Sequence, residues 1–251
     1  MMNSKDYLIT LASSIARPSK RKLINYCSRF RHKKGLEIGG PSALFSLKGY
    51  FPVYLFAQQV DGVNYSNRTA WEGTIAEGHN YQYHNKTGYQ YIREATELTG
   101  IPDESYDFVL SCHSLEHVAN PLKAVAEWKR VLKPGGYIVL VLPDKRHTFD
   151  INRPYTTMTH LLLDYQQDTG EDDATHFDEI LRLHQHEKDN GLVAGQTFAD
   201  RLKDNLTSRY AHHHVFDFKL VNEILGYFSL QTIYQQEAPP FHLITLAQKG
   251  T

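Results

Sequence analysis

Glu37, Gly39 and Gly40 fall within one stretch, Gly35-Leu36-Glu37-Ile38-Gly39-Gly40-Pro41-Ser42, where an apolar run carrying a single carboxylate stops at paired glycines. Glycine has no Cβ, so the chain can turn with positive φ there and let a ligand lie against its backbone. A second group, Ser111-Cys112-His113-Ser114-Leu115-Glu116-His117, sets two histidines and a carboxylate after a short apolar run. A third is scattered: Asp144-Lys145-Arg146-His147, Arg153, His160 and the run His212-His213-His214. Imidazoles transfer protons near neutral pH, and cationic donors suit an anionic or polyhydroxyl ligand. Fourteen histidines also raise the question of a metal. Neither His184 with His186 nor the 212–214 run sets its rings on one face, because helical neighbours two apart diverge and strand neighbours alternate. No metal site is expected from these spacings.

The elements that must hold these groups follow an α/β pattern. Residues 17–34 hold eight Lys or Arg and no acid, with Leu23, Cys27 and Phe30 on one stripe, which predicts an amphipathic helix with a basic, solvated outer face. Gly35–Ile38 reads as a buried strand, Gln59–Tyr65 as a second, and Tyr81, Tyr83, Tyr89 and Tyr91 suggest a further strand or hairpin. Asp107–Ser111 is a buried strand; Asn120 caps a helix opening on Pro121 and ending at Gly135-Gly136; Tyr137–Leu142 is a parallel strand after it. Residues 144–214 break the alternation with helical pieces at 156–167, 175–187 and 197–210. A helix capped by Asp217 and strands near 230–236 and 242–248 then resume it. The expected organisation is an N-terminal helical segment (1–34), a ligand-binding core (35–143), a helical insertion acting as a lid (144–214) and closing elements (215–251).

Composition sets limits. At 251 residues with 41% hydrophobic content the chain can bury one sizeable core, and a net charge of -1 gives no global attraction to nucleic acid or an acidic membrane. Two distant cysteines, Cys27 and Cys112, suit free thiols in a reducing compartment. The apolar stretch 8–16 is too short to span a bilayer. A cytoplasmic location is expected.

In a parallel sheet the turns after Ile38, Tyr65 and Ser111 face one crevice. A nicotinamide dinucleotide would want G-x-G-x-x-G at the first turn. Here Gly39 and Gly40 are adjacent, and Pro41 lacks an N–H to offer a pyrophosphate. S-adenosylmethionine carries no phosphate; it needs close backbone approach and acceptors for its ribose hydroxyls and adenine amine. The chain resembles the Rossmann-like (class I) S-adenosylmethionine-dependent methyltransferases over residues 34–143 and the closing elements, most nearly the branch shared with ubiquinone and menaquinone biosynthesis. Glu37, Gly39 and Gly40 match the family's first motif, with Pro41 and Ala43 in place of its later glycines. Gly62-Val63-Asn64-Tyr65-Ser66 matches the second, with Asn64 where Asp is usual and Asp61 in reserve. Glu94-Ala95-Thr96 matches the third, and Ser111–His117 with Asn120-Pro121 and Leu132–Gly136 matches the segment around the fourth strand.

The resemblance implies a mostly parallel sheet with helices on both faces and S-adenosyl-L-methionine as cofactor. It implies cofactor contacts from Glu37, Gly39, Gly40, Pro41, Ser42, Asp61, Asn64, Glu94, Ala95, Thr96, Ser111, Cys112 and His113. The segment 111–114 lacks the Asn/Asp-Pro-Pro-aromatic element of DNA amino methyltransferases, which favours oxygen as the acceptor. The insertion resembles that of methyltransferases of capsule and surface-polysaccharide biosynthesis, implying a sugar, nucleotide sugar or other small acceptor, with nucleic acid not expected. His113 is the first candidate base, His213 from the 212–214 run the second, and His117 the third, though packing is its ordinary role. Asp144, Arg146, His147, Arg153, His160, His212 and His214 are expected along the acceptor wall. The rival readings are an RNA methyltransferase using Arg17–Lys34 and a non-catalytic module of the same fold.

Overall fold

A computed structural model describes residues 18–69, 71–189 and 197–251, so the apolar stretch 8–16 lies outside it. Helix α1 (Pro18–Cys27) and the turn after it bury Leu23, Cys27 and Phe30, the stripe their spacing predicts. Its basic face is less free than expected. Lys20 is buried and donates to the Leu47 carbonyl (3.2 Å), Arg29 donates to the Tyr137 hydroxyl (2.9 Å), and Lys34 pairs with Asp61 (3.0 Å).

Strands β1 (Lys34–Ile38) and β2 (Gln59–Asn64) flank a short helix α2 (Val53–Phe56). After a two-residue ribbon, β3 (Arg68–Thr69) with β4 (Gly73–Thr74), the four tyrosines fall on a hairpin of β5 (Gly78–Tyr83) and β6 (Lys86–Ile92). Then come β7 (Tyr106–Cys112), α3 (Pro121–Val131) and β8 (Leu132–Pro143). Asn120 caps α3 by accepting from the Lys123 N–H. The helix stops at Val131, short of the glycine pair. Leu132 already pairs with Tyr106, and Gly135, at φ +72°, bends the strand where its register on β7 shifts.

Four helices follow: α4 (Met158–Gln166), α5 (Phe177–Leu183), α6 (Phe198–Lys203) and α7 (Asn205–Ser208). The third expected helical piece is therefore broken in two, after a capping box of Thr197 and Asp200. Helix α5 makes only two turns and packs through Ile180, leaving Leu181 exposed. The chain closes with α8 (Phe218–Tyr227), capped by Asp217, β9 (Leu230–Ala238) and β10 (His242–Lys249).

The eight-stranded sheet has the order β5-β6-β2-β1-β7-β8-β10-β9. Neighbours from β6 through β8 run parallel, while β5, β10 and β9 are antiparallel to their partners. One face packs on α3, α4 and α8 around Trp128 and Leu161, the other on α1 and α2 around Phe30 and Tyr54. This is the mostly parallel, Rossmann-like α/β architecture expected. Among the described residues no helix is long and apolar enough to cross a membrane.

Candidate active site

The carboxyl ends of β1, β2, β6 and β7 open on a crevice. Ile38, Gly39, Val63, Asn64, Glu94, Ala95, His113, Ser114, Tyr65, Trp71, Glu171 and Arg209 line it. Gly39 has φ +73°, and a Cβ there would lie 2.3 Å from the Ser114 hydroxyl, which itself donates to the Ile38 carbonyl at 3.0 Å. The turn can pass so close to the β7 loop because residue 39 has no side chain.

Glu37 supports this turn from behind. Its Oε1 accepts from the Ser42 N–H (3.1 Å) and its Oε2 from the hydroxyls of Tyr54 and Tyr81 (2.6 Å each). Burial pushes its carboxyl up to about 7 against the pull of those donors. Glu37 thus shapes the loop and does not border the crevice, and Gly40, Pro41 and Ser42 likewise lie behind its lining.

Of the two candidates on β2, Asn64 borders the crevice and Asp61 does not. Asn64 Nδ2 donates to the Gly40 carbonyl (3.2 Å), while its Oδ1 is buried with no hydrogen-bond partner among the described residues. Asp61 is already occupied: it accepts from the Tyr89 N–H (2.9 Å), Gln59 (2.6 Å) and the Tyr106 hydroxyl (2.8 Å). Burial opposes ionisation of Asp61, but these donors and Lys34 outweigh it and lower its pKa. Asp61 pins the sheet.

Glu94 and Ala95 flank the crevice, whereas Thr96 faces an outer depression. Ser111 is fully buried, and Cys112 faces a separate groove with Ser42, Leu44, Tyr50 and His242. His113, at φ +52°, stands between crevice and groove, its Nε2 2.8 Å from His242 Nδ1. Burial, then His113, pull His242 down to about 4. His242 was not legible as a site residue, since it follows a loop and pairs with Pro143 only through the sheet.

The expected acceptor wall is largely not assembled. Asp144 and Arg146 bind each other (2.5 Å) and Arg146 also reaches Glu237 (2.7 Å), around a depression shared with His147. Arg153 is buried and fully engaged with Asp150, Glu179 and the carbonyls of His212 and His213, so it holds the cap together. His213 and His214 are buried side chains, bonded to Asn205 and to the Ala119 carbonyl, which removes His213 as a second base. His160 pairs with His176 (3.1 Å) and Asp164 (3.3 Å) on the cap. His117 does border the crevice, edge-on to His212 at 4.6 Å between ring centroids. Arg209, Tyr65 and Glu171 were not expected here. The acidic run 171–173 was visible in the sequence, but its partner Arg209 lies 38 residues away in the chain.

Residues 47–140 match the family model described as a methyltransferase domain. No curated protein sequence matches the chain. Among solved structures it is similar to an S-adenosylmethionine-dependent methyltransferase from Mesorhizobium loti, at 14% identity and a TM-score of 0.51, covering 92% of this chain and 96% of that one. Another match is the 1,6-didemethyltoxoflavin-N1-methyltransferase of Burkholderia thailandensis, solved with its substrate and S-adenosylhomocysteine. It shares 12% identity, with a TM-score of 0.47 and coverage of 100% and 92%. Residues 47–140 thus resemble a methyltransferase domain, and the chain shares the fold of a solved S-adenosylmethionine-dependent methyltransferase.

Proposed function

We propose that this enzyme transfers a methyl group to an oxygen of a small polyhydroxyl or anionic acceptor, a sugar or nucleotide sugar of the kind built into surface polysaccharides. S-adenosylmethionine would sit in the crevice. The observation that carries this reading is Asn64 Oδ1, a buried acceptor at the end of β2 with no partner, beside a glycine turn that a Cβ would obstruct. A ribose hydroxyl answers the first and a close-lying methionine portion the second. Glu94 supplies an acceptor for the adenine amine, and the backbone at Ala95 a donor for a ring nitrogen.

When bound, S-adenosylmethionine supplies an electrophilic methyl group on a sulfonium, so that an oxygen–carbon bond forms as the carbon–sulfur bond breaks and a neutral thioether remains. The chain's larger task is alignment of the acceptor, on the order of 7 kcal/mol or more at best. A base for the hydroxyl proton adds typically 10²-fold or more. We assign that role to His113, which borders both crevice and groove and is oriented by His242. The capsule-like insertion and the absence of an amino-methyltransferase element after β7 support an oxygen acceptor on a sugar.

The test has two stages. S-adenosylhomocysteine should raise the melting temperature while NAD does not, by mass action on the native state. A turnover screen with labelled cofactor should then find incorporation into sugar or nucleotide-sugar hydroxyls. Incorporation into RNA or into amines alone would overturn the acceptor assignment, and stabilisation by NAD alone would overturn the cofactor site.

A further inference from the structure

Glu116 lies in the tight turn that follows β7, with 1% of its surface exposed, and neither carboxylate oxygen has a hydrogen-bond partner among the described residues. His113 Nδ1 comes within 3.4 Å of Oε1 and His117 Nε2 within 4.0 Å, without hydrogen-bond alignment. A buried carboxylate left in this state is strongly disfavoured unless a cation answers it.

Besides His113, two imidazoles face it, His117 and His212, and their outer nitrogens are already committed. His117 Nδ1 lies 3.0 Å from the Ala211 carbonyl, which can only accept, so the proton sits on Nδ1 and Nε2 keeps a lone pair. His212 Nδ1 lies 2.5 Å from Asp150 Oδ2, which likewise leaves Nε2 to face inward. Asp150 is in turn fixed by Arg153 (2.9 Å), whose guanidinium also grips the His212 carbonyl (2.7 Å). One ligand atom from each of Glu116, His117 and His212 can lie within 4.8 Å of the other two. Two histidines and a carboxylate, each histidine held by a carbonyl or carboxylate behind it, form the donor set and supporting shell of a transition-metal centre with open positions. Local spacing did not reveal it, because residue 212 is 95 positions from residue 117.

We propose that Glu116, His117 and His212 bind one divalent transition-metal ion, zinc or an ion of similar softness, at the edge of the crevice. Because His117 borders the crevice, an ion held by this group would lie beside the space where an acceptor oxygen would enter. An oxygen held there is positioned and loses its proton more readily. That role rests on the methyl-transfer reading above; binding of the ion does not. The cap carries a second group, His160, His176 and His214, but there the Nε2 atoms of His160 and His176 already bond each other at 3.1 Å.

The test is titration of chelator-treated full-length protein with Zn²⁺ by calorimetry and with Co²⁺ by visible absorption. One equivalent of each should bind, with Co²⁺ showing the intense bands of a low-coordinate nitrogen and oxygen site. Glu116→Gln and His212→Ala should each weaken binding at least 10²-fold, and Asp150→Asn by 10 to 100-fold, while His176→Ala keeps wild-type affinity. Glu116→Gln preserves side-chain shape, so it serves if His212→Ala fails to fold. Wild-type protein that binds neither ion, or binding lost in His176→Ala and kept in Glu116→Gln, overturns the proposal. S-adenosylhomocysteine stabilisation of the metal-free protein, measured in parallel, reports on the cofactor crevice independently.

Discussion

Arg209, on the lining of the crevice, pairs with Glu94, Nη2 to Oε1 at 2.7 Å, and with Glu171 through its other terminal nitrogen. One cation therefore ties the end of β6 to two segments of the cap, with its guanidinium 4.9 Å from the centroid of the Tyr65 ring. Burial raises the pKa of Glu94 and takes Glu171 to about 7, and Arg209 opposes both shifts. A residue expected to face the cofactor thus also anchors the helical insertion.

That double use predicts separable losses. Glu94→Ala should cost about 1–3 kcal/mol of S-adenosylhomocysteine affinity, from loss of a charge-assisted acceptor and of the contact to Arg209. Arg209→Lys keeps the charge but not the fork, so it should retain one of the two pairs and weaken affinity by a smaller factor, mainly through faster release. Calorimetry with stopped-flow release measures both. Affinities within twofold of wild type in both variants would remove this cluster from the site.

At Gly39 a substitution meets two obstacles, the positive φ and the Ser114 hydroxyl 2.3 Å from any added Cβ. Gly39→Val should weaken cofactor binding more than tenfold, since the β1 turn must move away from β7. Pairing it with Ser114→Gly relieves the contact but not the backbone strain, so affinity should recover only in part. Unchanged affinity in folded Gly39→Val would show that the ligand does not approach this turn.

Glu37 gives a pH prediction with a definite sign. Its carboxyl is raised from 4.5 to about 7 by burial, so between those values the folded protein holds a proton that the unfolded chain has released. The stabilisation is complete below about pH 4.5, declines as pH rises and is gone above about 7, a span of roughly 3 kcal/mol. Glu37→Gln removes the titration. In urea unfolding at pH 5, 6, 7 and 8, the wild-type stability relative to the variant should fall from pH 5 to 7 and level off by pH 8, and a pH-independent difference would be inconsistent with the buried acid.

How much of this was legible depended on how local the signal was. The β1 turn, strand β7 and the Asn120-Pro121 helix start are written in consecutive residues, through glycine placement, apolar runs and capping, and they fold as read. Asp61 and Asn64 could not be separated in the sequence, because the choice is made by Gln59, Tyr89 and Tyr106, whose hydroxyl and amide groups fill one carboxylate and leave the amide oxygen bare. The acceptor wall was misjudged for a similar reason. Arg153 and His213 have the chemistry of site residues, but Arg153 is also held by Glu179 and the carbonyls of His212 and His213, and His213 by Asn205, all in the packing of the cap, and periodicity says nothing about the distant pairings among them.

His113 carries the remaining prediction. It leaves β7 with positive φ, borders the crevice on one side and the groove of Tyr50 and Cys112 on the other, and is held by His242 at 2.8 Å. A base needs to reach the acceptor proton but not the cofactor's ribose or adenine, which the proposed pose sets against Asn64 and Glu94. His113→Ala and His113→Gln should therefore lower kcat at least 10²-fold while S-adenosylhomocysteine affinity stays within about threefold. His242→Ala removes only the orienting partner, so its loss should be smaller, and His242→Gln, which can still hydrogen-bond the ring, should recover part of it. A structural role for the pair predicts a different pattern, with cofactor affinity and melting temperature falling together in all four variants. If His113→Ala retains full kcat with native affinity, proton removal at this residue is not part of the reaction, and alignment of the acceptor suffices.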